Sequence, residues 1–362
     1  MENATQNEHQ TDSAGQTASY PFSFTGSGAE YFKIWIVNVA LTILTLGIYS
    51  AWAKVRTNRY FYANFMLDGE GFEYLAEPIQ ILKGRIVAVL LLAVYLALGA
   101  LSTDVNLAGA ALIFVLSPAI IVLSLRFKRR MTSYRNIRFG FSGGFGDAYK
   151  ALFLWPILGI LSLGILLPLA QVKAYRFVVN NSTFGTEPFR FSGRYGDYGK
   201  LILLYLGMMV GIILLLILFG AGIAAMVQTT SAEADPAATG ELAGVLITAP
   251  VLILTYGVVF FMMARYFNLL YLRTTLRTHG FRPSLTGRGY AWIWLSNIFL
   301  SLVTLGLYFP FAKVRLMNYV ANRIELVADG SLEDFSAAER SKVSALGQEL
   351  GSTFDIDFGI GV

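Results

Sequence analysis

The chain has 362 residues, 55% of them hydrophobic and only 14% charged, with a formal net charge of +5 and a mean hydropathy of +0.57. That balance excludes an ordinary soluble chain and points to an integral membrane protein. The absence of cysteine excludes disulfides, thiolate nucleophiles, iron–sulfur clusters and thiolate zinc sites.

Residues 1–20 are polar and lack both the basic and the apolar region of a secretory signal, which predicts a disordered tail. Phe22-Ser23-Phe24-Thr25-Gly26 follows. The motif returns as Phe139-Gly140-Phe141-Ser142-Gly143 and Phe189-Arg190-Phe191-Ser192-Gly193, with a weaker form at Leu285-Thr286-Gly287. Its period of two reads as a short strand ended by a glycine turn. Similar alternation occurs at Phe72-Glu73-Tyr74 and at 354–358, so these pieces either pair into a small sheet or stand as separate interfacial turns.

Residues 35–56, WIVNVALTILTLGIYSAWAKVR, recur at 294–315 as WLSNIFLSLVTLGLYFPFAKVR, with 11 of 22 positions identical. A degenerate middle copy at 161–173, LSLGILLPLAQVK, keeps the register: Gly47, Gly164 and Gly306 share one slot, and Ala51, Pro168 and Pro310 another. The copies place membrane segments at 31–53, 149–170 and 290–312, inside units 21–85, 126–200 and 265–330. Between the units lie apolar hairpins at 86–125 and 201–264, each long enough for two spans of about 20 residues. The first breaks at 103–106 and the second at a loop over 228–241 carrying Pro, Gly and acidic residues. Residues 331–362 read as a polar cytoplasmic helix with a narrow apolar stripe, then a strand.

Seven basic residues lie between 126 and 150, five between 173 and 200 and five between 265 and 288, whereas the two hairpin loops have none. The basic connections are expected in the cytoplasm and the hairpin loops outside. A simple crossing by the middle copy would put one basic connection on the wrong side. Two topologies follow: each copy dips in and out at its Leu-Gly step, giving four crossings with both termini cytoplasmic, or each copy crosses, giving seven. A dip needs its broken backbone shielded by protein.

The fold class expected is therefore an all-α polytopic membrane protein with three repeated membrane-embedded segments and a small cytoplasmic layer of short β-strands. Candidate ligand- or lipid-binding residues are the cations ending each copy: Lys54, Arg56 and Arg59; Lys173 and Arg176; Lys313, Arg315 and Arg323. Such residues attract anionic head groups, and they also snorkel and set topology. Asn38 and Asn297 share a slot inside apolar segments; a polar side chain there either bonds helices together or lines a polar path. Asp68, Glu70, Glu73 and Glu77 form an acidic face beside the first copy. His9 and His279 have no neighbours at metal-ligand spacing. No metal, cofactor or catalytic group is implied, and an enzyme is not expected. The expected partners are the bilayer and anionic lipids; nucleic acid is not one, since membrane orientation accounts for the positive charge.

The strings TLGIYSAWAKVRTNRY at 45–60, TLGLYFPFAKVR at 304–315 and NIRFGFSGG at 136–144 resemble the bacterial YjgN-like inner-membrane family, a domain family of unknown function. The resemblance runs from about residue 20 to the carboxyl end and implies a multi-pass protein of the bacterial inner membrane, with no activity to transfer. The third copy departs from the pattern, with Phe311 in the slot of Trp52 and Asn318 in that of Arg59. Two functional readings stand: a transporter or channel-like protein for a small solute, and a non-transporting module that binds anionic lipids or partner proteins through its cationic face.

Overall fold

The computed structural model describes residues 17–100, 102–230 and 236–354. Helical hairpins alternate with short β-hairpins along the chain. β1 (Thr17–Phe24) leads into α1 (Gly28–Leu44) and α2 (Ser50–Ala63), and β2 (Phe65–Leu67) with β3 (Glu70–Tyr74) into α3 (Pro78–Gly99) and α4 (Thr103–Arg130). β4 (Thr132–Tyr134) and β5 (Ile137–Phe141) precede α5 (Phe145–Tyr149), a π-helical turn at Lys150–Leu154, α6 (Trp155–Leu161) and α7 (Leu167–Asn180). β6 (Ser182–Phe184) and β7 (Glu187–Phe191) precede α8 (Tyr195–Thr230) and α9 (Pro236–Leu272). β8 (Thr274–Leu276) and β9 (His279–Pro283) precede α10 (Gly287–Val303) and α11 (Phe309–Ala321), and β10 (Ile324–Asp329) leads to α12 (Leu332–Phe354).

The strands do not form a minor layer. They close into one antiparallel barrel in the order β1-β10-β9-β8-β7-β6-β5-β4-β3-β2, which overturns the all-α class expected from the sequence. Closure leaves none of the described strands with a free edge to aggregate. The closing strand β1 changes partner at its proline: Thr17 to Pro21 pair with Asp329 to Glu325, and Phe22 to Phe24 pair with Leu67 to Phe65. Residues 17–20, expected in the disordered tail, are part of this strand; the rest of the tail lies outside the described residues. So does most of the strand expected at 354–358, of which Phe354 ends α12.

All helical hairpins leave the same end of the barrel, and the β-hairpin turns lie at the other. The turns use residues with positive φ: Asp68 and Gly69, Arg135 and Asn136, Gly185, and Arg277, as two-residue hairpins require. Neighbouring hairpins touch around a ring, α2 with α3, α4 with α5, α7 with α8 and α9 with α10, and α1 with α11 closes it. Among the described residues, four helices are long and apolar enough to cross a membrane: Pro78–Gly99, Thr103–Arg130, Tyr195–Gly222 and Gly244–Leu272. The loop expected over 228–241 is shorter than the sequence suggests, because α8 continues to Thr230 and α9 begins at Pro236.

The copies of the recurring segment reverse direction in the middle. Leu46 and Gly47, Leu163 and Gly164, and Leu305 and Gly306 all have positive φ. The glycine adopts φ near +90° at each tip (+92°, +93° and +89°), a conformation costly for a residue with a Cβ. One hydroxyl stitches each reversal. Thr45 Oγ1 donates to Leu41 O (2.7 Å) and accepts from Tyr49 N (2.9 Å), and Thr304 does the same with Leu300 and Tyr308 (2.7 and 3.0 Å). Ser162 donates to Gly159 O and accepts from Leu166 N, each at 2.9 Å. Backbone groups at the tips are thus paired while Leu46, Leu163 and Leu305 stand 95%, 94% and 94% exposed, the combination a non-aqueous surrounding demands. In the middle copy Pro156 has no N–H to offer the preceding turn, and the helix widens into its π turn just before it.

Candidate functional site: a cationic collar and an aromatic cavity

The cations that end each copy sit where the short helical hairpins meet the barrel, and the fold treats them unequally. In the first copy Lys54, Arg56 and Arg59 are all exposed, with Arg59 Nη2 3.4 Å from Ala76 O. In the middle copy Lys173 lies over the Trp155 ring, 5.4 Å from its centre, while Arg176 is exposed. In the third copy Lys313 crosses to the first, lying 4.2 Å from the Phe61 ring centre and 5.4 Å from that of Tyr31. Arg315 donates to Ser296 Oγ (2.9 Å) and Asn297 Oδ1 (3.2 Å), and Arg323 covers Tyr319 at 4.4 Å. The first and third copies adjoin through α1 and α11, whereas the middle copy borders α8, so the eight residues do not converge on one site.

The asparagines face inward and are 5% and 6% exposed. Asn297 Nδ2 donates to Ala312 O at 3.1 Å and Asn38 Nδ2 to Ala53 O at 3.5 Å, each joining the two arms of its own hairpin. In the middle copy that slot is Trp155, which meets Lys173 instead. The acidic face is divided too. Asp68 pairs with Arg135 at 2.7 Å, Glu73 accepts from Ser133 Oγ at 2.8 Å, and Glu77 caps α3 in a capping box with Gln80.

The Phe-x-Phe motif has a use that sequence reading missed. Its first phenylalanine (Phe22, Phe139, Phe189) points into the barrel and lines a cavity of about 450 Å³. Its second (Phe24, Phe141, Phe191) packs at the helix end, against Phe61, Phe177 and Tyr198 respectively. The glycine that ends each motif gives the second ring room: a Cβ on Gly26, Gly143 or Gly193 would lie 2.3–2.8 Å from it. More aromatic rings, among them Phe65, Phe72, Tyr134, Phe184 and Phe281, complete the wall.

Polar atoms on that wall are mostly satisfied by the protein. Thr132, Ser182 and Thr274 donate to Lys128 O, Val178 O and Leu270 O at 2.9, 2.7 and 2.7 Å. Tyr134 donates to Leu67 O at 2.8 Å; burial pushes its pKa up to about 12, so it remains a donor at neutral pH. His279, placed by sequence in a basic loop, opens β9 and is 3% exposed. Its Nδ1 accepts from Asp329 N at 3.2 Å, and burial lowers its pKa. Arg129, on the last turn of α4, is the exception: its Nε is buried and has no hydrogen-bond partner among the described residues.

α12 closes the turn end. Leu332 and Phe335 face the cavity, and the Phe335 ring lies 4.6 Å from His279 and 6.2 Å from Phe184. Glu339, 1% exposed, accepts from Thr186 N and Thr186 Oγ1, and Lys342 reaches Glu187 at 2.7 Å.

Residues 19–353 match a family described as bacterial protein of unknown function, DUF898. The chain belongs to the DUF898 family. This DUF898 chain is also 36% identical over 152 residues to inner membrane protein YjgN of Escherichia coli strain K12 and 35% identical over 149 residues to that of Escherichia coli O157:H7. The protein of the same name from Salmonella typhimurium is 34% identical over 147 residues. Each match takes in 40% of this chain and 37% of the relative's own length. No solved structure matches the DUF898 chain. With the four apolar helices, the relatives make it a membrane protein.

Proposed function

We propose that this chain is a non-transporting, non-catalytic module of the bacterial inner membrane that binds anionic lipid head groups at its collar, on the sector of the first copy. The observation that carries this reading is the unequal use of equivalent cations. The middle- and third-copy residues in the slot of Arg56 are engaged by Trp155 and Asn297, while Lys54, Arg56 and Arg59 are exposed, as is Lys83 of the adjoining α3. Each cation near an anionic surface contributes about 1 kcal/mol. The engagement of Asn38 and Asn297 within their own hairpins favours packing over a polar path. We read the five alternating helical and β-hairpin units as variants of one repeated unit.

The test is lipid retention. The full chain is placed in nanodiscs of equal phosphatidylcholine and phosphatidylglycerol, and the lipids it keeps on release are counted by native mass spectrometry. Replacing Lys54, Arg56 and Arg59 by Gln is expected to reduce retained phosphatidylglycerol several-fold, and Arg176→Gln to reduce it little. Equal retention by wild type and the triple variant would contradict the reading.

The barrel and both termini are placed in the cytoplasm by the same reading, since the basic connections all meet at the barrel. Single cysteines at Ser27, Ser192 and Ser284, added to a chain that has none, are expected to be protected from an impermeant maleimide outside whole cells and to react once the membrane is opened. Labelling of any one from outside sinks this placement.

A further inference from the structure

We infer that the barrel cavity is a binding site for a single-chain amphiphile with an anionic head group, its tail among the phenylalanines and its head group at Arg129. The site is separate from the collar and does not rest on the lipid reading made there.

A cavity of about 450 Å³ falls in the range of ligand sites rather than of packing defects. Phe22, Phe72, Phe139 and Phe189, each from a different strand, supply the apolar wall. The wall offers little to a polar solute, because Thr132, Ser182 and Thr274 already donate to helix carbonyls and His279 accepts from the backbone of Asp329. Phe335 and Leu332 close the far end, so the occupant is finite in length.

The head-group end is defined by charge. Arg129 stands where α4 joins the barrel, next to the cavity-lining Tyr271 at the end of α9. The nearby cation Arg126 already has partners, Gly143 O at 2.8 Å and the Phe145 ring. The buried Arg129 Nε lacks one, and a desolvated guanidinium N–H beside an apolar chamber selects an anion. A carboxylate or phosphate carried on one alkyl chain matches both halves of the chamber.

The test uses the full chain in phosphatidylcholine nanodiscs, with palmitate and uncharged hexadecanol as the probes and bound ligand counted by native mass spectrometry. The wild-type chain is expected to bind one palmitate and to prefer it to hexadecanol. Arg129→Gln is expected to weaken palmitate at least about tenfold, as the loss of a charge-assisted hydrogen bond does, and to leave hexadecanol unchanged. Leu276→Trp, which pushes an indole into the chamber, is expected to weaken both while the melting temperature is retained. The collar variant with Gln at Lys54, Arg56 and Arg59 is expected to bind palmitate normally, so failure at the collar and failure here are told apart. Palmitate binding unaltered by Arg129→Gln, or unaltered by a folded Leu276→Trp chain, would overturn the proposal; if Leu276→Trp does not fold, the charge selectivity of Arg129→Gln decides alone.

Discussion

Gly71→Ala is expected to be among the most damaging single-methyl changes in the barrel. Gly71 pairs with Met66 in the β2–β3 hairpin, and a Cβ on it would lie 2.4 Å from the carbonyl oxygen of Ala63 and 3.1 Å from its carbon. The obstacle is backbone at the end of α2, which cannot turn aside as a side chain can. Overpacking of this kind costs about 3 kcal/mol, enough to part the hairpin from α2. Gly84→Ala is the control, because nothing lies within 4 Å of its added Cβ and it sits within α3, where alanine is favoured. Thermal melts of both variants in detergent, followed by near-ultraviolet circular dichroism, should show a large drop for Gly71→Ala and none for Gly84→Ala. Equal melts would mean that α2 does not lie over the hairpin.

The second large effect is at the cap. Phe335→Ala removes a ring 9% exposed that packs on Phe184 and His279, and truncations of this type cost about 3–5 kcal/mol. The loss falls on α12, whose ties at this end then include Leu332 at the cavity, Glu339 at the Gly185-Thr186 turn and Lys342 at Glu187. Hydrogen exchange along 332–345 should rise to that of an undocked helix while the barrel strands stay protected. The same cap is expected to loosen with acid in two stages. His279 is depressed below the usual 6.5 by burial, so the unfolded or undocked chain takes up the proton first; stability is full above pH 6.5 and falls beneath it. Glu187 is held below the usual carboxylate value by its hydrogen bond to Lys342, so its contribution is present above about pH 4.5 and is lost only as the pH falls further. Exchange of α12 that is flat between pH 8 and pH 5 would remove His279 from the cap.

The apolar helices and the glycine tips were legible in the sequence because each is a local matter. The helices Pro78–Gly99 and Thr103–Arg130 are continuous apolar runs, and a tip such as Leu305-Gly306 needs positive φ that glycine supplies. The barrel was not legible. β2, β4, β6 and β8 have three residues each, too few to show a period, and Arg135-Asn136 and Arg277-Thr278 are hairpin turns without the usual glycine. Closure itself depends on β1 meeting β10, a pairing between distant parts of the chain that no local pattern announces. The cavity follows from closure alone. Phe22, Phe139 and Phe189 were visible as a recurring motif, but their convergence on one chamber with Arg129 exists only once the ends of the sheet are joined.

Barrel closure is therefore the claim on which the cavity, the cap and the ring of hairpins all depend. It is tested by replacing Ser19 and Val327, directly opposite in β1 and β10, with cysteine in a chain that has no other. Opposed residues of antiparallel strands have Cα separations of about 4.5–5.5 Å, within the span of a disulfide. Mild oxidation of the folded protein should give an intramolecular bond, seen as a faster, reductant-sensitive band on denaturing gels, with Ser19→Cys alone giving none. A double variant that stays reduced, or that forms only bonds between chains, would contradict a barrel closed by its first and last strands.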